Sequence, residues 1–311
     1  VGEGSLGVSV RKRRPLLARG DGVGVVATGF PVRHEAYAAG LRWLRRRYRV
    51  VTGDHVEAAE GYLAGDDDRR IADLNRMFRD PDLAAVWFAR GGYGTARLLE
   101  RVDWRALRRH PKLLIGYSDL TALFAPARKR SGVRCLYGPV VEELADAGAA
   151  NRRWLDSMLR GDRTELRLRK RDIWVPGKAA GTLVGGNLVV LNHLLGTRFA
   201  EDTRDGILFL EEIGEETYRI DRMLTQWRQS GGLRGLRGVV LGAFVGHQRT
   251  KPFPPDRDLR QVLLEAFEPL GIPVVAGVRA GHVRGKRAMP LGGRVTIDAP
   301  ARRLRFDPAA P

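Results

Sequence analysis

Residues 83–99 read LAAVWFARGGYGTARLL and residues 112–124 read KLLIGYSDLTALF. Each opens with a short apolar run of strand length, turns through small or polar residues, and continues into a segment with apolar residues at helical spacing. That order is the unit of a parallel sheet. A strand buried on both faces has no polar alternation, and a helix must return the chain before the next strand can lie parallel. The same reading extends outward in both directions. VGVVATG (23–29) predicts a strand, AYAAGLRWLRRRY (36–48) a helix, RVVTGDHV (49–56) a strand and DDDRRIADLNRMFRD (66–80) a helix. In the last, Asp66, Asp67 and Asp68 stand where carboxylates cap free N–H groups and face the positive end of the helix dipole. GTARLLERV (94–102), DWRALRRH (103–110) and DLTALFAPARK (119–129) predict helical pieces, and VRCLYG (133–138) a strand. Together they give a doubly wound α/β sheet, whose ligands bind beyond the carboxyl ends of the strands.

Residues 21–141 are therefore expected to form one domain, preceded by a flexible leader over 1–20. The alternation stops over 142–171, which reads as a charged linker with one helix around 152–159. From 172 to 311 a second, β-rich α/β domain is expected. It contains the glycine-rich AAGTLVGGN, helices in LVVLNHLLG, TYRIDRMLTQW and DLRQVLLEAF, strands in DGILFLEE, VVLGAFVG and IPVVAGV, and a final pair, GGRVTIDA and RRLRFD. There is no internal repeat.

Charge is the unusual feature of the composition. The 311 residues carry 54 Lys plus Arg against 36 Asp plus Glu, a net +18 that raises the question of a polyanionic partner. The excess is almost all arginine, 47 against 7 lysines, spread along the whole chain rather than gathered in a stripe. Between 36 and 50, Tyr37, Leu41, Leu44 and Tyr48 share one helical face and leave Arg42, Arg45, Arg46 and Arg49 to solvent. A solvated surface accounts for them, with attraction of an acidic small substrate as a second reading. Nucleic acid is not expected, because no aromatic-basic or helix-turn-helix signature accompanies the charge. One cysteine, Cys135, within VRCLYGPVV, excludes an intrachain disulfide and reads as a core thiol. No apolar run approaches the roughly 18 residues a membrane helix needs. At the start, RKRR follows the mildly apolar VGEGSLGVSV, the reverse of a secretory signal, so a cytoplasmic location is expected.

Three places combine reactive residues with strand ends. Ser118 lies between an apolar strand and an amphipathic helix, where its hydroxyl has two roles open to it: capping the helix, or acting as a nucleophile next to free N–H groups. Gly91, Gly92 and Gly94 follow another strand and allow close backbone approach to an oxyanion or carboxylate, or simply a tight turn. Their spacing is neither a dinucleotide fingerprint nor a P-loop, and no G-x-S-x-G is present. Glu211 closes ILFL and His282 follows IPVVAGVRAG. Histidine is the usual base near neutral pH, and a carboxylate that orients it would complete a set with Ser118. No metal-ligand spacing is found.

The blocks YLAGDDDRRIADLNRMFRDPDLAAVWFARGGYG, IGYSDLTAL, GTLVGGNL, LFLEEIGEETYRIDRML and Gly281-His282, in this order, resemble the LD-carboxypeptidases, the muramoyltetrapeptide carboxypeptidase group of serine peptidases. The resemblance implies Ser118 as nucleophile, Glu211 as the acid that orients the base, and His282 as general base and acid. The oxyanion donors it implies are the backbone N–H of Asp119 and of Gly91 or Gly92. It further implies a flavodoxin-like N-terminal domain with a smaller β-rich C-terminal one, a homodimer, and no cofactor or metal. The implied reaction releases terminal D-alanine from a small acidic peptide, the murein tetrapeptide, in cytoplasmic peptidoglycan recycling. One departure is Ala27-Thr28-Gly29-Phe30, where many relatives have Ala-Pro-Ser. A rival within the family is a microcin C immunity-type peptidase, which cleaves peptidyl- or aminoacyl-nucleotides. The segment Tyr-Gly-Thr-Ala-Arg after the paired glycines resembles the murein enzymes instead. A non-catalytic anion- or nucleic-acid-binding α/β protein would leave the Ser, Glu and His coincidence without a role.

Overall fold

The structure is a computed structural model and describes residues 15–248 and 256–308. Strands and helices alternate as β1 (Gly22–Val26), α1 (His34–Arg45), β2 (Arg49–Thr52), α2 (Asp67–Arg79), β3 (Leu83–Phe88), α3 (Trp104–Arg109), β4 (Leu113–Gly116), α4 (Thr121–Ser131) and β5 (Cys135–Tyr137). The five strands run parallel in the order β2-β1-β3-β4-β5. That is the flavodoxin-like order, with its switch point between β1 and β3. The apolar runs form strands because both faces are covered: β1 and β4 are buried at every residue and β3 at all but one. Trp87 packs edge-on against Trp43 of α1 and donates its indole N–H to the Pro139 carbonyl at 2.8 Å. Asp66 caps α2 as expected, accepting the Arg69 N–H at 2.7 Å.

Next come α5 (Ala149–Arg160), β6 (Thr164–Arg167), β7 (Ile173–Val175), β8 (Lys178–Asn187), α6 (Leu188–Leu194), β9 (Gly206–Ile213), α7 (Thr217–Gln229), β10 (Gly238–Val245), α8 (Leu259–Phe267), β11 (Val274–Val275), β12 (Met289–Leu291), β13 (Arg294–Asp298) and β14 (Arg303–Asp307). Seven of these strands and β6 form an eight-stranded mixed sheet, β6-β14-β13-β8-β9-β10-β11-β7, wider than the six-stranded first sheet. The remaining strand, β12, leaves the second half and pairs antiparallel with β5 at the edge of the first sheet.

Two expectations are corrected. Within the expected linker over 142–171, α5 is the helix expected around 152–159, but an unexpected strand, β6, pairs antiparallel with β14 and joins the second sheet. Its alternating intermediate and exposed residues had read as charged loop because β6 is an edge strand with no buried face. Of the expected leader, residues 1–14 lie outside the described residues, but Leu17 is buried and its N–H donates to the Leu159 carbonyl at 2.9 Å. The folded chain therefore begins before residue 21. Cys135 is a buried core thiol, as expected, and burial pushes its pKa up to about 12. On α1, Tyr37, Leu41 and Leu44 are buried while Arg42, Arg45 and Arg46 are exposed. No helix among the described residues is long and apolar enough to cross a membrane.

Candidate active site

The segment after β4, the end of β8, Glu211 of β9 and the loop after β11 meet through hydrogen bonds. Ser118 follows β4 in a short 3-10 turn and holds φ at 66°, the left-handed region that a non-glycine residue rarely adopts. Helix α4 begins at Thr121 with no side-chain cap, so the serine hydroxyl is not capping it. Instead Ser118 Oγ lies 3.0 Å from His282 Nε2, across 164 residues of sequence. The strained turn aims the hydroxyl out of the sheet toward the ring.

His282 is held on its other side by Glu211. Its Nδ1 lies 2.8 Å from Glu211 Oε2, and its backbone N–H donates to the same oxygen at 3.0 Å. The preceding residue must be glycine: Gly281 has φ +93°, and a Cβ there would lie 2.1 Å from that carboxylate oxygen. With Nδ1–H donating to a carboxylate, Nε2 is the ring's acceptor and faces the serine. Glu211 is fully buried, whereas the His282 side chain is 15% exposed.

The second oxygen of Glu211, Oε1, accepts the Tyr137 hydroxyl at 2.6 Å and the Asn187 amide at 3.2 Å. The Tyr137 hydroxyl oxygen in turn accepts the Ser118 backbone N–H at 3.1 Å. Asn187 is the last residue of β8 and the N-cap of α6; its side-chain oxygen accepts the Val190 N–H, and its own N–H reaches Thr121 Oγ1 on α4 at 3.0 Å. The same amide donates to Glu212 Oε1 at 3.1 Å. Burial raises the Glu212 carboxyl from its ordinary 4.5 to about 7; N–H groups of Ile213, Val189 and Asn187 oppose the shift and the adjacent Glu211 adds to it.

The glycine loop lies against Ser118. A Cβ on Gly91 would meet the Ser118 Cβ at 3.2 Å, and Gly92, with φ +112°, packs so closely on the Phe30 ring that a side chain there has no room. Asp119, next to Ser118, is buried, and its carboxylate accepts the Thr95 N–H at 2.9 Å, tying the loop to the serine turn. Burial raises this carboxyl to about 6, against the lowering effect of the Thr95 and Gly94 hydrogen bonds. The two arginines flanking the loop are engaged elsewhere. Arg90 donates to the Pro31 carbonyl at 2.6 Å and Arg97 to Asp67 at 3.0 Å.

Beside His282 a cavity of about 600 Å³ opens between α1, α5 and the loop after β11. Tyr117 and His282 form its inner wall, their rings 4.9 Å apart. The Tyr117 hydroxyl and Lys286 both reach Glu143, at 2.8 and 2.5 Å, and Arg33 pairs with the buried Glu142 at 2.8 Å. The exposed Arg284, also on this wall, pairs with no carboxylate among the described residues. Sequence reasoning picked out Ser118, Glu211, His282, Gly91, Gly92 and Asp119, and the structure brings all six together. It missed Tyr137, Asn187 and the Asp119 carboxylate, which lie in the expected strand VRCLYG, in the glycine-rich AAGTLVGGN and in the turn after the KLLIG strand.

The family model for the LD-carboxypeptidase N-terminal domain matches residues 23–138, and that for the LD-carboxypeptidase C-terminal domain matches residues 180–297. A relative from Bacillus subtilis (strain 168), named probable murein peptide carboxypeptidase, is 36% identical over 93% of this chain and 92% of its own. The chain belongs to the LD-carboxypeptidase family. Among other LD-carboxypeptidase relatives, the murein tetrapeptide carboxypeptidase of Pseudomonas aeruginosa is 33% identical over 82% of this chain and 84% of its own. The solved muramoyltetrapeptide carboxypeptidase from Oxalobacter formigenes superposes with a TM-score of 0.81 at 30% identity, covering 92% of this chain and 97% of that one. The microcin C7 self-immunity protein MccF in its wild-type apo state superposes at 0.85 over 94% and 97% of the two chains, but at 22% identity, a likeness of fold.

Proposed function

We infer that this LD-carboxypeptidase hydrolyses the amide bond between the L-centre of the third residue and the terminal D-alanine of murein tetrapeptides, releasing D-alanine. The observation that carries this reading is the relay Ser118 Oγ to His282 Nε2 at 3.0 Å and His282 Nδ1 to Glu211 at 2.8 Å, in a chain 33–36% identical to relatives named for murein peptides. His282 Nε2 takes the serine proton as Oγ attacks the scissile carbonyl, forming a tetrahedral oxyanion. Glu211 holds the ring tautomer and stabilises the imidazolium that forms. Because the Ser118 N–H is given to Tyr137, the oxyanion donors assigned here are the N–H of Asp119 and of Gly91 or Gly92. The imidazolium then gives its proton to the departing D-alanine amine. Water, deprotonated by the same nitrogen, frees the peptide from Ser118.

A small peptide with several carboxylates also suits the chain's net +18 and Arg284 of the adjacent cavity, which pairs with no carboxylate among the described residues. The same reading places the enzyme in cytoplasmic cell-wall recycling, as a homodimer. The test is mass spectrometry of L-Ala-γ-D-Glu-meso-diaminopimelate-D-Ala incubated with the protein, in parallel with an aminoacyl-nucleotide. Free D-alanine is expected from the peptide and not from Ser118→Ala. Normal turnover by folded Ser118→Ala, or cleavage of the nucleotide alone, would overturn the reading.

A further inference from the structure

The hydrogen bonds at the site close into a ring. Ser118 Oγ meets His282, His282 meets Glu211, Glu211 Oε1 accepts the Tyr137 hydroxyl, and the Tyr137 oxygen accepts the N–H of Ser118 itself. Two members belong to the first sheet's half of the molecule and two to the second, so the ring spans the boundary between them. Tyr137 is 1% exposed, fixed by edge-on rings from Tyr117 at 6.0 Å and Phe209 at 5.4 Å. Its hydroxyl is therefore held in place, and Tyr137 does not itself line the open cavity.

We propose that Tyr137 is a positioning residue for the reaction, a proposal that rests on Ser118 being the nucleophile. The tyrosine oxygen has one proton to give and lone pairs to offer, and both functions are used. By accepting the Ser118 N–H it satisfies the donor left over by the left-handed turn and holds the serine at the φ of 66° that aims Oγ at His282. By donating to Glu211 Oε1 it fixes the carboxylate plane so that Oε2 faces the imidazole. One hydroxyl thus sets the geometry of the nucleophile and of the acid from behind, and ties the halves that carry them.

The test compares Tyr137→Phe with Phe78→Leu in the full chain. The first keeps the ring and removes the hydroxyl; the second trims buried packing on α2 and leaves every hydrogen bond of the ring in place. Tyr137→Phe is expected to lower kcat on the tetrapeptide about 10- to 100-fold with KM within about twofold, in line with a lost buried hydrogen bond at a site needing sub-ångström placement. Labelling of Ser118 by a fluorophosphonate should slow by a similar factor, a readout that needs no peptide. Phe78→Leu is expected to lower the thermal midpoint while keeping kcat within about twofold. Normal kcat and labelling in folded Tyr137→Phe would overturn the proposal, as would equal kcat losses in both variants that track lost stability. A crystal structure of the unmodified protein with Tyr137 Oη out of reach of Ser118 N or Glu211 would do so without any variant. Absence of both labelling and turnover in the unmodified protein would overturn the nucleophile reading, and this proposal with it.

Discussion

Replacing Glu211 with glutamine exchanges one acceptor oxygen for an NH₂ group at a point where every neighbour is a donor. Oε2 accepts the His282 N–H and Nδ1–H, and Oε1 accepts the Tyr137 hydroxyl and the Asn187 amide. With its NH₂ toward His282, glutamine meets a backbone N–H that cannot reverse and forces Nδ1 to become an acceptor. The ring proton then moves to Nε2, the tautomer that cannot take a proton from Ser118. Turned the other way, the NH₂ meets the Asn187 amide, which is pinned by Glu212 and by its own cap on α6. One buried donor is left unpaired in either orientation, at about 1–3 kcal/mol, and the charge-assisted bond to the imidazolium is lost, at about 1.5–3 kcal/mol. A total of about 2.5–6 kcal/mol on the barrier corresponds to a drop in kcat of roughly 10²- to 10⁴-fold. The assay is D-alanine release coupled to a D-amino acid oxidase, with circular dichroism to check the fold and KM expected to change little. A natively folded Glu211→Gln whose kcat stays within about tenfold of the unmodified protein would refute the assignment of Glu211 as the orienting acid.

Two further outcomes concern stability. Glu212 has a folded pKa raised from 4.5 to about 7, so its contribution is fully present below 4.5 and is lost as pH rises through 7; Asp119, raised from 3.8 to about 6, acts with the same sign. The thermal midpoint of Glu212→Gln should therefore fall less between pH 5 and pH 8 than that of the unmodified protein, and identical slopes in scanning calorimetry would contradict the assignment. Arg128 of α4 and Glu201 form a buried pair, with side chains 9% and 5% exposed, and Glu201 also accepts the Gly185 N–H. Glu201→Ala leaves the guanidinium buried without its partner and should cost about 3–5 kcal/mol in urea unfolding, whereas Arg128→Met with Glu201→Leu should come close to neutral. A loss below about 1 kcal/mol for the single variant would refute this.

The parallel sheet was legible because its strands are runs of local apolar residues separated by helices with their own period. β6 and β12 were not. Thr164–Arg167 has no buried face, and Met289–Leu291 is three residues with a proline at its centre, so neither carries a periodic signal of its own. Both are strands only because distant partners, β14 and β5, offer them hydrogen bonds. The site divides along the same line. Ser118, Glu211 and His282 stood out because reactive side chains at strand ends are chemically conspicuous and lie in ordered family blocks. Tyr137 sat in an apolar strand, where a tyrosine reads as core, and nothing local marks its hydroxyl as the partner of residues 19 and 74 positions away. The choice between cap and nucleophile for Ser118 likewise depended on a histidine 164 residues distant.

The strand β12 also governs how this molecule can be taken apart. Five strands of the first sheet are complete by Tyr137, yet β5 stays a bare edge until Met289–Leu291 arrives, and the arriving strand brings Pro290, whose missing N–H discourages any further addition. A fragment ending at the boundary between the halves would present β5 as an open template for another chain, in a segment with Leu136 and Cys135 at its centre. Synthesis meets the same constraint. The half of the protein made first waits for a segment only seven residues beyond His282, so the protection of its sheet edge and the arrival of His282 are nearly one event.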